Sequence, residues 1–264
     1  MANASLRSLD VSNLSLSVPG SGAPLLHHAD LQCRPGELWC IVGPNGAGKS
    51  TFLETMAGLR ARQAGRVEID GRLLQDWPLT ALAKRRAFMS QRQEDAFAAT
   101  VFESVLTARH PYLSGWQWEG AQERARVMDA LTALDMAALA ERDVRHISGG
   151  ERQRVAIAAM LAQQAPLMLC DEPLTHLDLP HQVACLRLFQ TRVRDFGDII
   201  LFVCHDLNLA RAFATHAFLM DGQGGWHAGT AESVLTPERL SAAFAYPIRM
   251  LRDGDRSVFA PDLG

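Results

Sequence analysis

One stretch limits the fold more than any other: "GPNGAGKST", Gly43 to Thr51. It follows the apolar run "ELWCIV" and leads into "KSTFLETMAGL", whose apolar residues recur at helical spacing. Strand, glycine loop and helix in that order predict an α/β architecture, with the strand in a covered parallel sheet and helices as crossovers. Gly43, Gly48, Lys49 and Ser50 match G-x-x-x-x-G-K-[ST]. Glycines let successive backbone N–H groups turn inward around an anion, and the helix N-terminus adds positive potential. Gly43, Pro44, Asn45, Gly46, Ala47, Gly48, Lys49, Ser50 and Thr51 are therefore the candidate cradle for a nucleotide's phosphates. Lys49 is placed to reach the β and γ phosphates, and Ser50 to ligate Mg2+. Among 26 basic residues only Lys49 and Lys84 are lysines, so a compact ammonium stands where a phosphate loop needs one. At ordinary glycine frequency a chance match in such a chain is roughly a one-in-a-hundred event.

Other apolar runs end in chemistry. "LMLCDEP" closes a strand on Asp171 and Glu172, placing two carboxylates at the carboxyl edge of a parallel sheet, where such folds bind ligands. Asp171 is the candidate to hold Mg2+ through water, and Glu172 to orient and deprotonate an attacking water. "IILFVCHD" delivers His205 to the same edge, for a γ-phosphate contact. "RAFMSQ" reads as a strand ending at Gln91, a candidate sensor of Mg2+ and water, with Gln93 as the competing assignment. A second glycine pair opens a helix in "ISGGERQRVAIAAML", again with the geometry of an anion site, while Ser148 there is equally a ready N-cap.

The remaining pattern fills in the organisation. "LRSLDVSNLSLSV" alternates apolar and polar residues like strands of a half-exposed sheet, and "GRVEIDG" is a short strand bounded by Gly65 and Gly71. From Thr100 to about Ala140, "VFESVLTARH" and "QERARVMDALTALDMAALA" are spaced as amphipathic helices, a helical lobe between strands. The formal net charge of −3 argues against a surface built for nucleic acid. Five scattered cysteines form no CxxC pair and no zinc spacing, and read as reduced core residues. No stretch is apolar for the length of a membrane span, and the N-terminus lacks the apolar core of a signal peptide, so a membrane role is expected to come through a partner.

In their order, "GPNGAGKST", Gln91, "ISGGERQRV", "LMLCDEP", "THLD" and "CHD" resemble the nucleotide-binding subunit of an ABC transporter over nearly the whole chain. The resemblance implies a single domain over residues 1–264: a P-loop NTPase (RecA-like) core with a mixed sheet, an N-terminal antiparallel β subdomain and an inserted α-helical subdomain. The core is expected over about 1–91 and 160–264, and the helical subdomain over about 92–159. It also implies ATP and Mg2+, and a homodimer that sandwiches two nucleotides head to tail. Ser148, Gly149, Gly150 and Glu151 would then cap the γ-phosphate held by the partner, and Asp178 would cross the interface.

Further resemblances narrow the expectation. "LDLPHQ", "HDLNLA" and "ESVLTPERLSAAF" are similar to ATPases of importers for metal chelates. Cobalamin and ferric siderophores come ahead of haem: "DWPLTALAKRRAFMSQRQ" leans to cobalamin, and Pro44 stands where haem importers often carry Arg. The implied partners are two transmembrane permease subunits and, indirectly, a periplasmic substrate-binding protein. The implied place is the cytoplasmic face of the inner membrane. A non-transport ABC ATPase is the alternative. "HPYLSGWQW", with Tyr112, Trp116 and Trp118, is either a docking patch for the permease or a satellite core. No aromatic residue precedes Trp39, so Val18 or Pro19 would offer adenine only apolar contact, and Cys170 replaces the usual aliphatic residue.

Overall fold

The computed structural model describes residues 6–18, 20, 22–91, 98–113, 120–253 and 256–263. In chain order its elements are β1 (Leu9–Ser17), β2 (Pro24–Cys33), β3 (Leu38–Val42), α1 (Lys49–Met56), β4 (Ala64–Ile69), β5 (Arg72–Leu73), α2 (Leu79–Arg85) and β6 (Arg86–Met89). Next come α3 (Val101–Leu106), α4 (Ala121–Thr132), α5 (Gly149–Gln163), β7 (Leu167–Cys170), α6 (Leu179–Phe196), β8 (Ile199–Val203), α7 (Leu207–Phe213), β9 (His216–Met220) and β10 (Trp226–Thr230). The chain closes with α8 (Ala231–Val234), α9 (Pro237–Phe244), β11 (Ile248–Asp253) and β12 (Arg256–Pro261).

The central sheet has the order β10-β9-β3-β8-β7-β6. Its four pairings from β9 to β6 are parallel, and β10 joins β9 antiparallel, so the sheet is mixed as expected. Every residue of β3, β7 and β8 is buried, which is why these strands read as continuous apolar runs. Register decides the site. Met89 pairs with Cys170, Cys170 with Phe202, and Ile41 with Val203. Four strands thus stop at one edge, and the residues after them emerge together: Gln91, Asp171 and Glu172, His205, and Gly43.

Side-chain alternation along these strands divides the core in two. Trp39, Ile41, Leu169, Leu201 and Phe218 face α1 and an antiparallel sheet of order β2-β1-β4-β5. Phe52 of α1 stacks on Phe218 at 4.7 Å between ring centroids, and both are fully buried. Each such ring contributes about 1.5–3 kcal/mol of burial, which seats the helix that follows the phosphate loop. Cys40, Met168, Cys170 and Phe202 face the other way, towards α5, α6 and the helical lobe.

Three expectations about element ends need correction. The strand through "RAFMSQ" stops at Met89, because its pairing with β7 ends there, with Asp171 N donating to Met89 O as the last link. Gln91 lies in the bend beyond. The helix in "VFESVLTARH" starts on a Thr100/Glu103 capping box but ends at Leu106, continuing as a tight 3-10 segment, Thr107–Tyr112, that contains Pro111. "QERARVMDALTALDMAALA" is not one helix: α4 ends at Thr132, Asp135 turns left-handed, and Met136 N donates to Leu131 O. That 6→1 bond, with Leu131 and Met136 both buried, closes the helix in a Schellman-type cap.

Helix α5 runs unbroken from Gly149 to Gln163, packing on α3 and α4 and on β6, so a lobe boundary at 159/160 falls inside it. The C-terminal hairpin β11–β12 is an addition that the sequence pattern does not announce. Asn208 of α7 pins it, accepting from Phe259 N at 2.7 Å and donating to Phe259 O at 3.3 Å. Among the described residues no helix is long and apolar enough to cross a membrane. Pro19, Gln93, Trp116 and Trp118 lie outside the described residues. Tyr112 is described: the Arg109 guanidinium stacks on its ring at 4.0 Å and the Lys84 ammonium sits 5.4 Å from it.

Candidate nucleotide site

The phosphate loop needs its glycines. Gly43, Gly46 and Gly48 all take positive φ, and a Cβ on Gly43 would fall 2.4 Å from the Met220 carbonyl oxygen of β9. Gly48 is the N-cap of α1 with no side-chain cap, and the first turn holds no acid. The N–H groups of that turn therefore meet neither a side-chain acceptor nor a competing negative charge, as an anion site requires. Lys49 is only 6% exposed, and its ammonium donates to Gly43 O at 2.8 Å and Pro44 O at 2.9 Å. Burial pulls its pKa down, against the opposing pull of Glu172 and Asp171. An ammonium held on two loop carbonyls is already positioned across the cradle, and a phosphate can replace those acceptors.

Asp171 is 3% exposed. Burial raises its pKa, Glu172 and Glu54 add to the rise, and a hydrogen bond from Ser50 together with the Lys49 charge opposes it. Its Oδ1 is buried with no hydrogen-bond partner. A buried carboxylate oxygen left orphaned beside a serine hydroxyl is a hard-oxygen pair suited to Mg2+, which keeps waters and takes few protein ligands. For the same reason it matters little that, among the described residues, no group of three or more His, Cys, Asp and Glu forms a metal cluster.

Glu172 adopts φ 52, a left-handed conformation unusual for a residue with a side chain. Its Oε1 lies 2.8 Å from His205 Nε2, and its Oε2 accepts from Thr175 Oγ1 at 3.2 Å. Burial acts to raise its pKa, but hydrogen bonds from His205, Thr175 and Gln91, with the His205 charge, outweigh it and hold the carboxyl below its ordinary range. The structure thus brings together Lys49, Ser50, Asp171, Glu172, His205 and Gln91. His205, expected at a γ-phosphate, has its Nε2 on Glu172. Thr175 and Gln153 escaped the sequence reading. Gln153 Nε2 donates to Glu172 O at 3.0 Å, and the only signal for it was its place five residues after Ser148.

The second glycine pair stands apart. Ser148 caps α5 by accepting from Glu151 N at 3.2 Å, and Glu151 Oε2 accepts from Ser148 N at 2.7 Å, a complete capping box. Those Ser148 hydrogen bonds hold the Glu151 carboxyl below its ordinary range. A Cβ on Gly150 would sit 2.9 Å from His176 O, whereas one on Gly149 would meet nothing closer than 3.8 Å. Asp178 caps α6 by accepting from His181 N at 3.1 Å. A groove of about 430 Å3 lies at the C-terminal hairpin, and a smaller cavity of about 170 Å3 opens on Glu172 and His205. The chemistry belongs to the smaller one, since a phosphate loop is an open cradle rather than a cavity.

Residues 26–175 match the model of the ABC transporter family. The chain is 39% identical over 235 residues to the hemin import ATP-binding protein HmuV of Streptomyces coelicolor, covering 89% of this chain and 83% of that protein. It is 37% identical to the iron(3+)-hydroxamate import ATP-binding protein FhuC of Bacillus subtilis, covering 83% and 81%. Among solved structures, a metal-chelate type ABC transporter in an inward-facing conformation aligns with a TM-score of 0.83 at 26% identity, over 97% of both chains. A dimeric ATP-binding cassette in a post-hydrolysis state bound to ADP and Pi aligns at 0.75 and 25% identity, over 84% of this chain and 98% of that one. With the phosphate loop, the two carboxylates and the histidine gathered at one sheet edge, the chain belongs to the ABC transporter family and is one of its ATP-hydrolysing members.

Proposed function

We propose that this chain powers the import of an iron chelate, haem or a ferric hydroxamate, by hydrolysing ATP as a homodimer beneath two permease subunits at the cytoplasmic face of the cell membrane. The relatives' names support the cargo class: hemin and iron(3+)-hydroxamate import ATP-binding proteins at 37–39% identity. They move the weight from the cobalamin lean of the sequence to iron chelates. A periplasmic binding protein is the expected source of the chelate. The lobe in which α3 and α4 pack on α5 is the part that meets the permease.

The single observation that carries the catalytic reading is the Glu172 to His205 contact of 2.8 Å beside the buried Lys49 and Asp171. ATP binds with its phosphates along Gly43 to Thr51, and Lys49 exchanges its two carbonyl acceptors for β and γ oxygens. Ser50, Gln91 and, through water, Asp171 would hold Mg2+, which would supply charge neutralisation on the phosphates. Glu172 accepts a hydrogen bond from the attacking water and takes its proton as the water oxygen bonds to the γ-phosphorus and the bond from that phosphorus to the β–γ bridging oxygen breaks, the bridging oxygen leaving with ADP. Its lowered pKa keeps it ionised at neutral pH and makes it a weak base, so orienting the water is the larger part of its work. His205 turns from Glu172 to the γ-phosphate when nucleotide is present. In the closed dimer, Ser148, Gly149, Gly150 and Glu151 of one chain cover the nucleotide held by the other, and Asp178 crosses between the two sites.

Glu172→Gln tests this reading. The variant keeps the shape of the side chain and loses its proton acceptor, so kcat is expected to fall about 100-fold or more while ATP binding persists. Turnover near the wild-type rate would remove Glu172 from the mechanism.

A further inference from the structure

We propose that Gln153 is a positioning residue for ATP hydrolysis: its side-chain amide holds the Glu172 carbonyl and thereby ties the base of one nucleotide site to the helix whose N-terminus serves the other. The inference rests on the reading of Glu172 as the base and of Ser148 as a residue acting on the partner's nucleotide.

Gln153 is 8% exposed and lies in the second turn of α5, five residues after the Ser148 cap. Its Nε2 donates to Glu172 O at 3.0 Å, and the same carbonyl accepts from Thr175 N at 3.3 Å. The turn thus has its own closing bond, and Gln153 supplies a link from outside it. That link lands on a residue held at φ 52. Left-handed backbone in a residue with a Cβ persists only where its surroundings hold it. His176, four residues on, is also left-handed at φ 66, and its carbonyl lies against Gly150, where a Cβ would approach to 2.9 Å. The loop from Glu172 to His176 is therefore strained near both ends and rests at both on the first turns of α5. Moving the N-terminus of α5 moves the carbonyl that sets the direction of the Glu172 side chain. A buried amide spent on a loop carbonyl, where a leucine would fill the space, fits a positioning role.

The neighbouring charges leave this contact distinct. On the loop side the titratable groups are Glu172, Asp171 before it, His176 at the loop's end, Asp178 just beyond, His205 on the Glu172 carboxylate, and the Lys49 ammonium. On the helix itself, Arg152 donates to Val144 O and Arg154 to Leu134 O, and the Arg154 charge also acts on Asp178, two residues past the loop.

The test uses the purified full-length chain and three variants: Gln153→Met, Gln153→Glu and Glu172→Gln. Gln153→Met keeps the volume and loses the donor, so kcat should fall about tenfold with KM for ATP within about twofold, since a lost buried hydrogen bond acts here on orientation and not on nucleotide binding. In Gln153→Glu the introduced carboxylate faces a carbonyl oxygen, and burial against it raises its pKa; protonation restores a donor. Its kcat relative to wild type should therefore rise several-fold as pH falls from about 8 to about 6, while the ratio for Gln153→Met stays flat. Taking ratios cancels the pH dependence that each variant shares with the wild type. Melting curves confirm that each variant is folded; should Gln153→Met fail to fold, the pH ratio of Gln153→Glu decides alone. Wild-type kcat in Gln153→Met, or a pH-independent ratio in Gln153→Glu, overturns the positioning role. Normal turnover in Glu172→Gln instead overturns the reading on which it rests, so the two failures are told apart.

Discussion

Helices α1 and α5 both carry glycine in or next to the first turn, and they treat their N-termini in opposite ways. Helix α1 starts at Gly48 with no side-chain cap and no acid in its first turn, and carries a buried lysine. Helix α5 starts at Ser148 with a complete capping box, a carboxylate in its first turn and an exposed cap. The first is an anion site whose donors have been left for a ligand. The second satisfies itself, and Glu151 partly cancels the positive end of its dipole. Such a terminus gains from an added phosphate only when that phosphate arrives already held and charge-compensated elsewhere, as a nucleotide on a partner's α1 would be.

The sharpest way to break this contrast is to disable one helix in each of two chains. Lys49→Ala should lose ATP binding, and Ser148→Arg should bind ATP but not close, each turning over at about 1% of wild type or less. An equal mixture should recover to about a quarter of the wild-type rate, because half the dimers are mixed and each carries one intact composite site. ATPase rates of the mixture against the separate variants measure it. No recovery above their sum would mean that both helices serve the same nucleotide.

The two glycines of α5 sharpen the contrast within one turn. Gly150→Ala forces a Cβ to 2.9 Å from the His176 carbonyl and should cost about 1–3 kcal/mol, a fall of several degrees in melting temperature for a chain of this size. Gly149→Ala meets nothing within 3.8 Å and should hold or gain about 0.5 kcal/mol, since alanine limits the unfolded chain. Equal effects at the two positions would show that the second glycine is not there for the loop beneath it.

This difference also marks what the sequence made legible. Apolar runs ending in "DE", "HD" and a glycine loop predicted buried parallel strands, and register along those strands is enough to bring Asp171, Glu172, His205 and Lys49 to one edge. Contacts made by the backbone left no such trace. Gln153 reads as one more polar residue on a helix, because nothing in its neighbours announces that it reaches a carbonyl nineteen residues away. The end of α4 was missed because Asp135 in a left-handed turn looks, in sequence, like the next residue of an amphipathic pattern. The hairpin β11–β12 is not announced because its pairing is with itself and one of its anchors, Asn208, sits in a helix forty residues before it.

Charge separates the two sites as well. The folded protein raises the pKa of Asp171 through burial, so its ionised form is a cost in the absence of a cation. Asp171→Asn should therefore stabilise the nucleotide-free protein by about 1 kcal/mol at neutral pH while ending Mg2+-dependent turnover. The sign fixes the window. Above the raised folded pKa the charge is present and the gain is full; below the ordinary carboxylate range Asp171 is protonated in both states and the gain vanishes. Melting temperatures of the two proteins across acid and neutral pH check this, and a loss of stability at neutral pH would show that the carboxylate is better satisfied than its orphaned Oδ1 implies.

At α5 the sign reverses, and the effect is smaller. Glu151 has its pKa lowered by the Ser148 hydrogen bonds, so its contribution to stability is present above the ordinary carboxylate pKa and is lost as pH falls through the lowered folded value. The group is largely solvated, and screening leaves only a few tenths of a kcal/mol from its charge. Glu151→Gln keeps an acceptor for Ser148 N and removes the charge. It should lower stability by that small amount at neutral pH and by nothing in acid. With the negative charge gone from the first turn, the same substitution should favour a phosphate at the helix terminus and lower KM for ATP by about twofold. Stability and KM then move in the direction expected of a terminus that caps itself until a nucleotide arrives, and an increase in KM would mean that the Glu151 carboxylate assists the closed state.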